Sequence, residues 1–181
     1  MSGVLAGLIG SFAPVATSYE SIATFTGNGS AQTATFNSIP GTYKSLQIRF
    51  MSIAPSGQYP NPTIRYNNDT GTNYKYHWLD GYGSIAAGAN TTNTAWPLIG
   101  SGNLSMYPTY PTVAVIDIID YASTTKNKTS RSITGIDING NGLITLQSML
   151  YTSTTAITRI DIQSSVAYPT TTTIALYGIK G

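Results

Sequence analysis

Few residues in this 181-residue chain could run a reaction, and their spacing bears on each chemistry in turn. Asp69-Thr70-Gly71 spells the triplet with which aspartic proteases place one of two buried carboxylates that share a proton. Here it follows Asn67 and Asn68 rather than a hydrophobic strand end, and an Asn-Asn-Asp-Thr-Gly run predicts a polar turn. Asp137, Asn139, Asn141 and Gly142 match the opening of a calcium loop, in which oxygen ligands alternate around the cation. Position twelve would be Ser148 rather than a bidentate glutamate, so this run predicts a hairpin turn. His77 is the single histidine, within Tyr74-Lys75-Tyr76-His77-Trp78, and no Gly-x-Ser-x-Gly elbow accompanies it. A polysaccharide-cleaving site needs paired carboxylates, but Glu20 is the sole glutamate and Asp117, Asp120, Asp137 and Asp161 lie in or beside strand-like runs. The residue supply predicts a non-enzymatic protein with no catalytic residue, no cofactor and no metal site.

The elements that would position these residues are strands. From Tyr19 onward, short β-type runs are punctuated by Gly, Pro, Asn and Ser, with no helical periodicity long enough to cross over a sheet, which excludes a parallel α/β fold. Leu46, Ile48 and Phe50 alternate with Gln47, Arg49 and Met51, and Thr158, Ile160 and Ile162 with Arg159, Asp161 and Gln163, as strands with one wet face do. Val113 to Ile119 is apolar except at Asp117, which predicts a central strand covered on both faces. Further strands are expected over 20–26, 32–36, 63–67, 74–79, 95–99, 132–138, 143–151 and 172–179, while 81–94 reads as a long loop. About eleven strands in one domain predict an all-β, antiparallel β-sandwich over residues 19–181.

Composition narrows the partners. With no cysteine, neither disulfides nor thiolate metal sites are available. Charged residues make up 9% of the chain, and uncharged hydroxyls and amides can meet neighbouring subunits without a large desolvation cost. A net charge of +2 excludes a nucleic-acid reader, and the local cluster of Lys126, Lys128 and Arg131 predicts a solvated hairpin. No apolar run approaches the roughly 20 residues of a membrane span, and the N-terminus lacks the basic flank of a secretory signal. Val4, Leu5, Leu8, Ile9 and Phe12 recur at helical spacing among Gly3, Gly7 and Gly10, so residues 1–18 are expected to form a short apolar docking arm or helix. Thirteen tyrosines and two tryptophans supply rings that stack on sugars or fill interfaces; Trp78, Trp96, Tyr107 and Tyr110 are the candidates for glycan contact.

Several segments together carry a family resemblance. They are Ser18-Tyr19-Glu20-Ser21-Ile22-Ala23, the run from Ile39-Pro40-Gly41-Thr42-Tyr43 to Arg49, and Arg65-Tyr66-Asn67-Asn68-Asp69-Thr70-Gly71-Thr72-Asn73-Tyr74. Ile119-Asp120-Tyr121, Gly135-Ile136-Asp137, Ala156-Ile157-Thr158-Arg159-Ile160 and the terminal Leu176-Tyr177-Gly178-Ile179-Lys180-Gly181 follow in order. In these the chain resembles a family of tailed-bacteriophage accessory virion proteins. The resemblance implies a jelly-roll-like module on the virion, either a capsid decoration or cement component or a head-fibre or tail adhesin binding host-surface glycans. It implies a homotrimer or other homo-oligomer docked on the major capsid protein or another virion protein, with the N-terminal segment as anchor, and it lends no catalytic residues.

Overall fold

The computed structural model describes residues 18–82, 84–99 and 105–181; the expected docking residues Val4, Leu5, Leu8, Ile9 and Phe12 lie outside them. Twelve strands occur among the described residues, and no helix. They are β1 (Tyr19–Thr26), β2 (Thr33–Phe36), β3 (Ser45–Ser52), β4 (Thr63–Tyr66), β5 (Tyr74–Tyr82) and β6 (Ser84–Asn93). After these come β7 (Trp96–Pro97), β8 (Thr112–Ile119), β9 (Lys128–Asp137), β10 (Gly142–Tyr151), β11 (Ile160–Gln163) and β12 (Thr173–Ile179). One sheet has eight strands in the order β1-β12-β3-β8-β9-β10-β5-β6, the other four in the order β2-β11-β4-β7.

Setting aside the β5–β6 and β9–β10 hairpins leaves β1-β12-β3-β8 facing β2-β11-β4-β7. The pairs β1·β12, β2·β11, β3·β8 and β4·β7 are all antiparallel, so the chain is one long hairpin whose rungs alternate between two sheets. That is the jelly-roll arrangement. The two extra hairpins add β9, β10, β5 and β6 to one edge of the first sheet as a wing.

Leu46, Ile48 and Phe50 of β3, Ile116 and Ile118 of β8, and Ile174 and Leu176 of β12 meet Phe36, Ile64, Ile160 and Ile162 of the narrow sheet in the core. Tyrosines close one side of it: Tyr74 stacks on Tyr151 at 5.0 Å, Tyr66 meets Tyr151 edge-on at 5.5 Å, and the Tyr66 hydroxyl bonds Ser130 Oγ at 2.9 Å. Under the wing the interior turns polar. Lys128, Ser130, Ser132 and Thr134 of β9, with Thr145 and Gln147 of β10, are buried there. The Leu98 carbonyl, just past β7, accepts from Thr134 Oγ1 (3.0 Å) and Gln147 Nε2 (2.9 Å), and Trp96 Nε1 donates to Gln147 Oε1 (3.1 Å).

The segments that carry the family resemblance act as fasteners. Tyr121 donates its hydroxyl proton to the Pro40 carbonyl and accepts from the Tyr43 N–H at 3.1 Å. The Tyr43 ring in turn lies flat against Gly178, and Lys180 Nζ meets Glu20 Oε2 at 2.6 Å. Four segments distant in sequence therefore meet at one end of the wide sheet. At the same end, below the narrow sheet, Asn67, in the left-handed region at φ 50°, accepts from the Thr158 and Arg159 N–H groups and donates to the Ala156 carbonyl, while the Ile157 N–H donates to the Tyr121 carbonyl at 2.8 Å.

Every strand expected from the sequence is present, but four details differ. Residues 84–93 are a strand and not part of a loop: pairing with β5 supplies the ladder that a Ser, Ala, Gly and Thr composition lacks by itself, and Gly88 leaves room for the Trp78 ring. The expected strand over 95–99 shortens to Trp96–Pro97. On the outward row of β11 Asp161 is not wet, because it is buried beneath Arg159 (2.7 and 2.9 Å) and Thr35 (2.7 Å), while Arg159 and Gln163 stay partly exposed. Finally, β8 is central in the sheet yet covered on one face only, with Val113, Val115 and Ile119 exposed.

A Cβ added at Gly178 would sit 2.4 Å from the Tyr43 ring. Gly178→Ala should therefore destabilise the domain by about 1–3 kcal/mol through overpacking, read as a lowered urea midpoint.

Candidate functional site

The residues whose spacing suggested chemistry are occupied with structure. Asp69 closes a turn: Oδ1 accepts the Gly71 N–H at 2.7 Å, and Oδ2 accepts Asn73 Nδ2 and the Tyr151 hydroxyl, both at 2.8 Å. Burial pushes its carboxyl upward, but these three donors together outweigh burial and hold it below the usual carboxylate range. Asp137 accepts the Gly140 N–H at 3.1 Å in the β9–β10 hairpin, where Asn139 and Gly140 both have positive φ. That Asn-Gly pair supplies the backbone twist a two-residue hairpin requires. No group of three or more His, Cys, Asp or Glu side chains that could hold a metal ion occurs among the described residues.

The basic cluster comes apart. Lys126 is exposed beside Asp120 at 3.4 Å, and Arg131 bonds Asp117 at 3.2 Å. Lys128 is fully buried rather than solvated: its ammonium donates to the carbonyls of Ser123 (2.7 Å), Lys126 (2.8 Å) and Ser153 (3.2 Å). Burial lowers the pKa of this amine, and Asp120 partly offsets the shift. The lysine ties the β8–β9 connection to the strand end after β10, a role its place in a charged run concealed.

The four aromatic candidates are not brought together. Trp96 is wholly buried with its indole N–H engaged, which leaves no ring face for a sugar. Trp78 is half-buried against Tyr76 and Gly88, and Tyr110 packs on the core margin. Tyr107 meets Tyr59 edge-on at 5.1 Å, and Tyr59, which the sequence did not single out, is the exposed member.

The feature that does stand out is the outer face of the wide sheet. Register places Met51, Val113, Gly135 and Ile144 side by side on β3, β8, β9 and β10. The neighbouring row is Val115, Ile133, Leu146 and Leu79. These side chains are open to solvent: Leu146 is 55% exposed, Ile144 54%, Val113 50% and Ile133 48%. A hollow over Gly135 is framed by Val113, Val115, Ile133 and Ile144, since a Cβ at Gly135 would meet nothing within 4 Å.

One polar row borders this band. Arg49 Nε donates to Gln47 Oε1 (3.0 Å), Gln47 Nε2 to Asp117 Oδ1 (2.9 Å), and Arg131 Nε to Asp117 Oδ2 (3.2 Å). The Arg49 guanidinium also covers the Tyr177 ring at 4.8 Å. No protein-family profile, curated protein or solved structure matches this chain.

The arrangement offers a contact surface: a flat aliphatic field with a fixed, internally paired polar border. Its clearest signal in the sequence was the apolar run of β8, broken only at Asp117, which predicted cover on both faces. β10 carries the same signal, with Ile144, Leu146 and Leu150 facing out and Leu143, Met149 and Tyr151 facing in.

Because the Asp69 carboxyl titrates lower in the folded than in the unfolded state, its contribution is present above the ordinary carboxylate pKa and lost as pH falls through the folded value. Tyr151→Phe removes one donor, so it should cost about 1–2 kcal/mol near neutral pH and less in acid, measured by urea unfolding across pH.

Proposed function

We propose that this chain is a non-enzymatic structural component of a bacteriophage virion, a capsid decoration or cement protein that works by burying surface between subunits. One observation carries the assembly role: an aliphatic field spans five strands of the wide sheet on the face turned away from the core. Monomeric soluble proteins rarely leave so large a contiguous apolar patch bare, and such patches mark contact sites. The resemblance of the fastener segments to accessory virion proteins supplies the location, and the low charge suits permanent assembly. Residues 1–18 are proposed as the segment that docks on the major capsid protein or another virion protein.

A second reading, a head-fibre or tail adhesin for host-surface glycans, is favoured by the Tyr59–Tyr107 pair, whose exposed ring could stack on a sugar. It expects Tyr59→Ala to lower polysaccharide binding while leaving the fold intact, and absence of binding to any host envelope polymer removes it.

For the cement role, virions lacking the protein should release DNA at a lower temperature than complete ones, and cryo-electron microscopy should place it across capsomer junctions. Equal thermal stability with no density on the shell would exclude the role.

A further inference from the structure

The apolar face needs an occupant, and we propose that it is the same face of another copy of this chain. This rests on the face being an assembly surface and adds what it meets. Three observations favour a second copy.

The first is shape. The row Val115, Ile133, Leu146 and Leu79 is a ridge, and beside it the row Met51, Val113, Gly135 and Ile144 is interrupted by the hollow at Gly135. Ridge and hollow lie on one surface, which is what an isologous interface requires, since each copy then offers the knob and accepts the partner's. Strand faces with aliphatic side chains of this kind interdigitate at a sheet separation of about 10 Å.

The second is charge. The polar border is satisfied within the chain: Asp117 takes Gln47 on one oxygen and Arg131 on the other. Two identical faces can therefore approach without bringing a bare carboxylate against a bare carboxylate. From Val115 to Leu79 and from Met51 to Ile144 the two rows hold no charged side chain; Arg49 stands only at the β3 end of the first, over the Tyr177 ring and bonded to Gln47.

The third is area. The field, its polar border and the row beyond it that holds Ile119 and Leu150 cover about five strands at roughly 4.8 Å spacing and about seven residues at roughly 3.4 Å each, a projected patch of about 570 Å². Two copies then bury on the order of 1,200 Å² together, the size at which specific interfaces begin.

The test is sedimentation velocity of the full-length chain at about 1–100 µM, covering the affinities expected of an interface this size. The expected result is a dimer or larger homo-oligomer that becomes monomeric in Leu146→Lys, with association weakened at least about a hundredfold and an unchanged circular dichroism spectrum. Gly135→Val is the control for folding, because its side chain enters open space in the monomer. It should hold or raise the monomer's stability yet weaken association about tenfold by filling the hollow.

Oligomers indifferent to both substitutions would overturn the inference, as would a full-length chain that stays monomeric throughout. In a monomer, hydroxyl-radical footprinting then separates the remaining occupants. Protection of Ile133 and Leu146 in the free chain would mean that residues 1–17 cover the face. Protection arising only on the particle would mean that a different virion protein does, and would leave the assembly role standing.

Discussion

A sheet whose strands are two to four residues long cannot cover one of eight strands, and the interior of this domain is arranged around that mismatch. β7 stops at Pro97, and Leu98 and Ile99 continue under the wing as irregular backbone whose polar groups still need partners. Side chains from the sheet opposite and from the stretch before β4 provide them. Thr134 and Gln147 converge on the Leu98 carbonyl, Asn61 pairs with both backbone groups of Ile99, and Trp96 reaches Gln147. The wing thus carries hydroxyls and amides on its inner side for a structural reason, and with strict alternation along a strand the aliphatic residues fall outside.

That inversion explains which features were legible beforehand. Periodicity and punctuation were sufficient for eleven strands, because Leu46 to Phe50, Val113 to Ile119 and Leu143 to Tyr151 are rich in β-formers and bounded by turn residues. β6 escaped because its pairing, not its composition, makes it a strand. The direction of each face was harder. In β9, Ser130, Ser132 and Thr134 look like the wet side and Ile133 like the dry one, and only the tertiary demand of the segment after β7 reverses them. Lys128 was misplaced for a related reason: a lysine in a charged run gives no hint that three carbonyls await it.

The segments that suggested a virion family are placed where the fold is secured. Tyr121, Pro40, Tyr43, Gly178, Glu20 and Lys180 form one continuous set of contacts, and Asn67 binds the chain just before β11. Their types follow from this: a glycine where a ring lies flat, a tyrosine whose hydroxyl both donates and accepts, an asparagine that tolerates positive φ. The aliphatic field, by contrast, imposes no particular side chain at any one position beyond the open glycine.

The contact between Ser18 and Lys180 has a mechanical consequence. The Lys180 N–H donates to the Ser18 carbonyl at 3.0 Å, and β1 and β12 run antiparallel away from that point through seven registered pairs. A load applied between these two positions acts at the open end of the ladder, across the rungs. The pair then unzips one rung after another, and the force needed is that of a single rung rather than of all seven sheared together. A pull that holds residue 18 against the opposite edge of the sheet meets no such weak line.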